Sequence, residues 1–307
     1  MSLEVDLLLD RRRLKRRLVF WRLLTITALV VAGIAVLSQT GISFGGAHIA
    51  RLNVTGIIAE DRKLIRALDS VAKDPDARAL IVAINSPGGT VSGGESLYRA
   101  IGRVAERKPV VAVMGGLAAS AGYMVALPAE RIFARESTLT GSIGVLLETG
   151  EVSTLLTRLG VTTEAITSGA LKDQPSVTRP LTPKGREVLQ GLVMDMYDQF
   201  VGMVATSRRM TPEQVRELAD GRAYTGRQAL KLNLIDAIGG EAEARAWLAK
   251  EKDVPAALPV NDVSTAGLAE RAIGGSLAGF VEGIWKTLIS QSVRLDGGIA
   301  IWHRTDG

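Results

Sequence analysis

The sequence predicts an α/β domain built on a largely parallel sheet and preceded by one N-terminal transmembrane helix. Three observations predict it. Apolar runs of strand length at 79–84 and 109–113 alternate with segments of helical spacing at 61–73 and 92–106, and strands separated by helices join as βαβ units and lie parallel. The two runs are continuously apolar instead of alternating, as strands covered on both faces are. Near the N-terminus a basic cluster precedes an apolar stretch long enough to cross a bilayer.

Six of the seven residues 11–17 are Arg or Lys, and only Arg22 interrupts the apolar run 18–37. Arg22 lies one turn in, where its long side chain can reach back to the interface, and Trp21 falls at headgroup level. The basic cluster stays on the cytoplasmic side, which puts everything after residue 40 outside. A cleaved signal peptide is the rival reading. Against it, no small-x-small site follows 36–38, and the run 23–37 is long for a signal peptide. The expected organisation is a basic cytoplasmic arm at 1–17, an anchor at 18–38, a linker at 39–48, a folded domain at 49–255 and a C-terminal extension at 256–307. This makes a single-pass membrane protein with its domain outside.

At 307 residues and 47% hydrophobic, the chain can bury a sizeable core. It has no cysteine, which removes disulfides, thiolate metal sites and cysteine nucleophiles together. His48 and His303 stand in no metal-ligand spacing, and no metal or cofactor is expected. The net charge is +5; residues 1–22 hold seven cations and three acids, or +4, which leaves +1 for the rest. A nearly neutral body with three Trp and four Tyr is a poor nucleic-acid binder.

Beyond the linker, 49–54 alternates like a strand that Gly56 ends. The helix 61–73 is broken by Asp74-Pro75-Asp76. Glycine turns are expected at 85–89 and 114–116, each following a strand. The sheet therefore presents both at the carboxyl edge, where ligands bind in parallel folds. A helix begins near Ser120, and a short strand follows at 131–134. Then come a small-residue loop at 140–145, a helix near 151–159, a strand near 161–166 and a turn at 168–173 carrying Lys172. An extended link at 176–182 leads to a long helix at 183–209, opened by Thr182-Pro183. Thr211-Pro212 opens another helix, to about 219. The remainder reads as a turn at 220–226, a helix at 226–231, a strand at 234–236 and a helix at 241–251. An amphipathic helix at 265–290 and a tail with a short strand or a loose end follow.

Ser120 is the residue this plan points to. Near the first turn of a helix, backbone N–H groups can hold the oxyanion that acyl transfer creates. On local sequence alone, a serine at this position reads first as a helix cap, the commoner role there. A nucleophilic serine needs a proton acceptor. The two histidines lie near the ends of the domain, and the GxSxG elbow is absent because Ala118 and Gly122 flank Ser120. A lysine is the remaining common base. Lys63, Lys73, Lys184 and Lys250 sit in solvated helical company, whereas Lys172 lies in a glycine-containing turn, which makes it a candidate. Gly88 and Gly89 offer unshielded N–H groups. A phosphate loop is not matched, since neither GxGxxG nor GxxxxGK[ST] is present.

Five stretches, INSPGGTVSGGESLY, AVMGGLAASAGYMVA, STLTGSIGV, TSGALKDQPSVTRPLT and DGRAYTGRQALKLNLIDAIGG, fall in order between residues 84 and 240. Together they resemble the signal peptide peptidase A family, the S49 serine peptidases, in its short single-unit form. The similarity runs from about residue 49 to 249. The resemblance implies a crotonase/ClpP-like ββα superhelix and a Ser-Lys dyad with Ser120 as nucleophile and Lys172 as general base. It also implies an oxyanion hole from Gly89 and Ala121, with Gly88 in support and Ser142 orienting the base. The family often carries two aromatics after the serine motif, where this chain has Tyr123-Met124.

On this resemblance the expected function is membrane-anchored serine endopeptidase action on signal peptide remnants and other membrane-associated peptides. Homo-oligomeric rings, with serine and lysine from adjacent subunits, are also implied. Leu117, Met124 and Ile143 are expected to line an apolar pocket. Two other readings stand beside this one. A CoA-ester enzyme shares the fold, but the anchor argues against it; a catalytically idle scaffold is made less attractive by intact Ser120 and Lys172.

Overall fold

The computed structural model describes residues 17–18, 20–28 and 46–264. Residues 17–18 and 20–28 are helical and exposed. Within this helix the hydroxyls of Thr25 and Thr27 donate to the carbonyls of Trp21 and Leu23, at 2.8 and 2.9 Å. The rest of the predicted anchor lies outside the described residues, as do the predicted helix at 265–290 and the tail. Among the described residues no helix is long and apolar enough to cross a membrane.

From His48 the chain alternates as predicted: β1 (His48–Ile58), α1 (Arg62–Lys73), β2 (Ala77–Gly89), α2 (Val91–Ala105), β3 (Val110–Ala119), α3 (Ala121–Ala126), β4 (Arg131–Ala134) and β5 (Leu139–Gly141). Then follow α4 (Ser153–Arg158), α5 (Pro183–Arg208), α6 (Pro212–Leu218), β6 (Ala223–Thr225), α7 (Gly226–Lys231), β7 (Ala237–Ile238), α8 (Glu241–Lys252) and β8 (Val260–Asp262). The sheet order is β6-β5-β3-β2-β1-β8, with β4 paired to β3 and β7 to β4. Every pair is parallel except β5–β6.

The continuous apolar runs have the predicted cause. Along β2, Leu80, Val82 and Ile84 point into one core with α1, α2 and α3, while Ala79 and Ile81 point to the other face beneath Ala244 and Leu248 of α8. Burying both faces leaves the middle strands no position for a polar residue. Helix ends follow the caps the sequence carries. Asp61 accepts from the N–H groups of Lys63 and Leu64, Thr182 from that of Gly185, and Thr211 forms a capping box with Gln214.

Four expectations need correction. The segments 85–89 and 114–116 are not turns, because β2 and β3 run straight through them. Register shifts between Thr55 and Ile57 and between Ile84 and Ser86 absorb the irregularity, and glycines pair in a ladder as other residues do. Residues 161–166 form no strand. They are mostly exposed and have no neighbouring strand within one copy of the chain, and a strand needs a partner for its backbone groups. The strand expected at 234–236 starts instead at Ala237. The N–H of Leu234 still closes α7 on the carbonyl of Ala229, past Asn233 at φ +57°. Strands β5, β6 and β8, at three residues each, are too short for periodicity to reveal; β8 extends the sheet past residue 255.

Candidate active site

Strand β3 ends at Ala119 and α3 begins at Ala121, so the whole change of direction falls on Ser120. Its backbone sits at φ +54°, ψ −122°, a region that side-chain-bearing residues rarely enter. Two bonds impose this conformation: the Ser120 N–H donates to the Gly141 carbonyl of β5 at 2.8 Å, and the Met124 N–H donates to the Ser120 carbonyl at 3.0 Å. The hydroxyl makes no capping bond, although Ser120 occupies the cap position. The helix-cap reading of this serine therefore fails, and the hydroxyl is left for something else. Among the described residues no acceptor faces the N–H of Ala121.

The end of β2 is pressed against this point. Gly88 adopts φ +117°, and a Cβ there would lie 2.9 Å from the Ser120 Cβ and 3.2 Å from the Ala121 nitrogen. At Gly89 a Cβ would come within 1.9 Å of the Ile58 carbonyl oxygen. Only glycine permits either approach. Ser86, fully buried, holds this segment from below. Its hydroxyl donates to the Gly56 carbonyl at 2.6 Å and accepts the Gly88 N–H at 3.1 Å. Behind Ser120, buried Thr140 donates to the Ala118 carbonyl at 2.8 Å.

Gly89, Ser120 and Ser142 line one cleft of about 820 Å³, which lies at the carboxyl ends of β2 and β3. Ser142 also has a positive φ, +49°, fixed by its N–H donating to the Arg222 carbonyl at 2.9 Å. The cleft's apolar wall comes from Val91, Val145, Leu146 and Met194, the last on α5. Met124 and Ile143, expected there, are core residues instead, Met124 because every residue of α3 is buried; Leu117 is not among the lining residues either. Asp220 adds one carboxylate to the lining; the Arg222 side chain, bonding it at 2.7–2.8 Å, holds it below the usual range.

Lys172 is not among the residues lining this cleft. It lies exposed on the turn after Gly169, whose carbonyl accepts its N–H at 3.0 Å. The surrounding segment carries apolar side chains that one copy leaves uncovered: Leu146 is 84% exposed, Leu159 67%, Ile166 95% and Val177 61%. Helix α4 buries no residue at all.

Reading by spacing missed Ser86, Thr140 and Asp220. Ser86 stood within the quoted INSPGG stretch, and its signal was a polar residue ending an otherwise apolar buried strand. Thr140 and Asp220 carried no such signal.

An α/β domain with a strained serine on a cleft at the carboxyl edge of its parallel strands defines a hydrolase-like architecture, and comparison with known proteins places it among the peptidases. The chain belongs to peptidase family S49, whose sequence model matches residues 103–255. The model of the Clp protease family matches residues 56–139, from β1 to β5. A Synechocystis protein named "Putative protease slr0021" is 42% identical over 203 residues, covering 66% of this chain and 73% of the relative. An Enterococcus faecium protein named "Putative signal peptide peptidase SppA" is 34% identical over 247 residues, covering 75% and 71%. A protein of Arabidopsis thaliana named "Serine protease SPPA, chloroplastic" is 36% identical over 244 residues, covering 79% of this chain and 35% of its own length.

Proposed function

We propose that this chain is a membrane-anchored serine endopeptidase with a Ser120–Lys172 dyad that hydrolyses signal peptide remnants and other membrane-associated peptides. The observation that carries the reading is Ser120 itself, strained, uncapped and half-buried on the cleft wall. Strain of this kind, of order 1–3 kcal/mol, persists where the surroundings impose it and clusters at functional sites.

In the proposed reaction Lys172 takes the proton of Ser120, and the oxygen attacks a peptide carbonyl. The N–H groups of Gly89 and Ala121 hold the oxyanion, and Ser142 orients the lysine. The leaving amine takes the proton back, and water then releases the acyl group. Lys172 reaches the serine from a second copy. This accords with its absence from the cleft lining of its own chain and with the uncovered apolar face between 146 and 177. A homo-oligomeric ring of ββα units with shared sites belongs to this reading. So does the anchor at 18–38, with the N-terminus cytoplasmic and the domain periplasmic or extracellular; the internally satisfied Thr25 and Thr27 hydroxyls suit an apolar surrounding.

The test is complementation. Ser120→Ala and Lys172→Ala are each expected to be inactive on an apolar peptide. Unfolded and refolded together in equal amounts, they are expected to recover about a quarter of wild-type activity, since random mixing joins one intact serine to one intact lysine in about one site in four. Full activity of either variant alone refutes the dyad; no recovery on mixing refutes the shared site.

A further inference from the structure

The amino ends of β1, β2 and β3 form the edge opposite the cleft, and a cluster of cations lies there. A concavity of about 470 Å³ on this edge is lined by Lys73, Arg78, Arg107, Lys108 and Lys252 against two acids, Asp74 and Asp253. Three further acids border it: Asp76, Glu106 and Glu130, the last paired with Lys252. The concavity is therefore marked by unpaired exposed cations and not by a large net charge.

Two of the five cations have internal work. Lys252 pairs with Glu130 and lies over the Trp247 ring at 5.7 Å. Lys108, half-buried, donates to the carbonyls of Asp74 and Ala77. Burial lowers its pKa, against the opposing pull of Asp74. The other three, Lys73, Arg78 and Arg107, are exposed, and their side chains form no hydrogen bond or ion pair among the described residues. They sit on separate elements, at the end of α1, the start of β2 and the loop before β3. Such spread cations, with no convergent backbone donors, suit an extended anionic surface better than one enclosed anion.

The same edge is where the chain arrives from its N-terminal segment. The His48 N–H donates to the Asp76 carbonyl at 2.9 Å, and the His48 ring nitrogen Nε2 lies 4.0 Å from the Asp74 carboxylate. The ten linker residues from 39 to 48 span at most about 35 Å. The tether therefore begins at the rim of the basic concavity.

We propose that this basic edge rests on the anionic phospholipid headgroups of the bilayer that holds residues 18–38, so that the cleft, at the far ends of β2 and β3, faces away from the membrane. The proposal rests on the anchored reading above. Tethering alone leaves the domain free to tumble; attraction of Lys73, Arg78 and Arg107 to the surface selects one orientation. A peptide must then extend from the bilayer, or leave it, to reach Ser120.

The absence of cysteine permits a clean test on the full chain. Glu106→Cys, exposed beside Arg107, and Thr55→Cys, exposed near the opposite end of β1, each give one labelling position. The labelled chains are reconstituted into vesicles of phosphatidylcholine alone or with about 30% phosphatidylglycerol, and quenching by a headgroup-attached quencher is read. The residue 106 probe is expected to be quenched at least about threefold more in the anionic vesicles. The gain is expected to vanish in about 0.5 M sodium chloride and in the triple variant Lys73→Gln/Arg78→Gln/Arg107→Gln, while the residue 55 probe responds to neither lipid. Equal quenching in both lipids, or a triple variant that behaves as wild type, overturns the proposal and leaves the anchor standing. Loss of the gain with about 10 mM inorganic phosphate, but not with sodium chloride of equal ionic strength, overturns it in favour of a small-anion site. A chain that fails to float with vesicles of either composition overturns the anchor and the proposal with it.

Discussion

Replacing Ser86 with alanine separates what holds the site from what holds the fold. Ser86→Ala removes one oxygen and keeps the methylene, so packing is nearly unchanged. Two backbone groups lose their closest partner, and the Gly88 carbonyl loses a longer contact at 3.3 Å. The Gly56 carbonyl is on an exposed residue and regains water, whereas the N–H of buried Gly88 does not. One orphaned buried donor costs about 1–3 kcal/mol. For a domain of this size that lowers Tm by about 2–12 °C. Gly88 lies against Ser120 and the Ala121 nitrogen, so its release also moves Gly89, the proposed oxyanion donor. Losing such a donor outright lowers kcat by about 10²–10³; displacing it should lower kcat by about 10–100-fold and leave KM within about twofold. The assay is kcat and KM on an apolar peptide well below either Tm, with Tm from calorimetry. A lowered Tm with unchanged kcat refutes the argument, because Ser86 would then serve the fold alone.

Further outcomes are expected. Ser120→Gly relieves the positive φ and should abolish hydrolysis while raising stability by about 1 kcal/mol, read as a higher urea midpoint; lower stability counts against strain at this residue. Gly88→Ala forces a Cβ to 2.9 Å from that of Ser120 at φ +117° and should reduce activity at least about 100-fold even where folded protein is recovered. Tyr123 is fully buried, its hydroxyl donating to the Leu234 carbonyl at 2.8 Å, and burial pushes its phenol well above the usual range. The unfolded chain gives up that proton near pH 10 while the folded chain keeps it, so stability should fall as pH rises above about 10. Tyr123→Phe should be less stable at neutral pH by about 1 kcal/mol and flatten that alkaline fall; parallel urea-stability profiles for the two proteins would contradict this.

Much of the domain was legible in sequence because its signals are local. Helices α1, α2, α5 and α6 are written in apolar spacing and in caps such as Asp61, Thr182 and Thr211. The middle strands are written in uninterrupted apolar residues, since burial on two faces excludes anything else. The basic cluster at 11–17 and the apolar run behind it are equally plain in composition. The same locality hid the rest. A three-residue strand such as β5 has no period, and residues 161–166 look like a strand that a single copy gives no neighbour.

Ser120 shows the division most clearly. From sequence alone, a serine between small residues at a helix start reads as a cap or a nucleophile, because both need the same local pattern. Tertiary structure decides between them. Strand β5 takes the Ser120 N–H, Gly88 presses against its Cβ, and the backbone is forced to a positive φ at which the hydroxyl does not cap its own helix. Apart from the local bond to Met124, the groups that force it, Gly141 and Gly88, lie 21 and 32 positions from Ser120 in the chain, so only the packed sheet could bring them together. Sequence determined the alternation, the two-sided core and the choice of serine; long-range contacts determined the conformation that frees its hydroxyl.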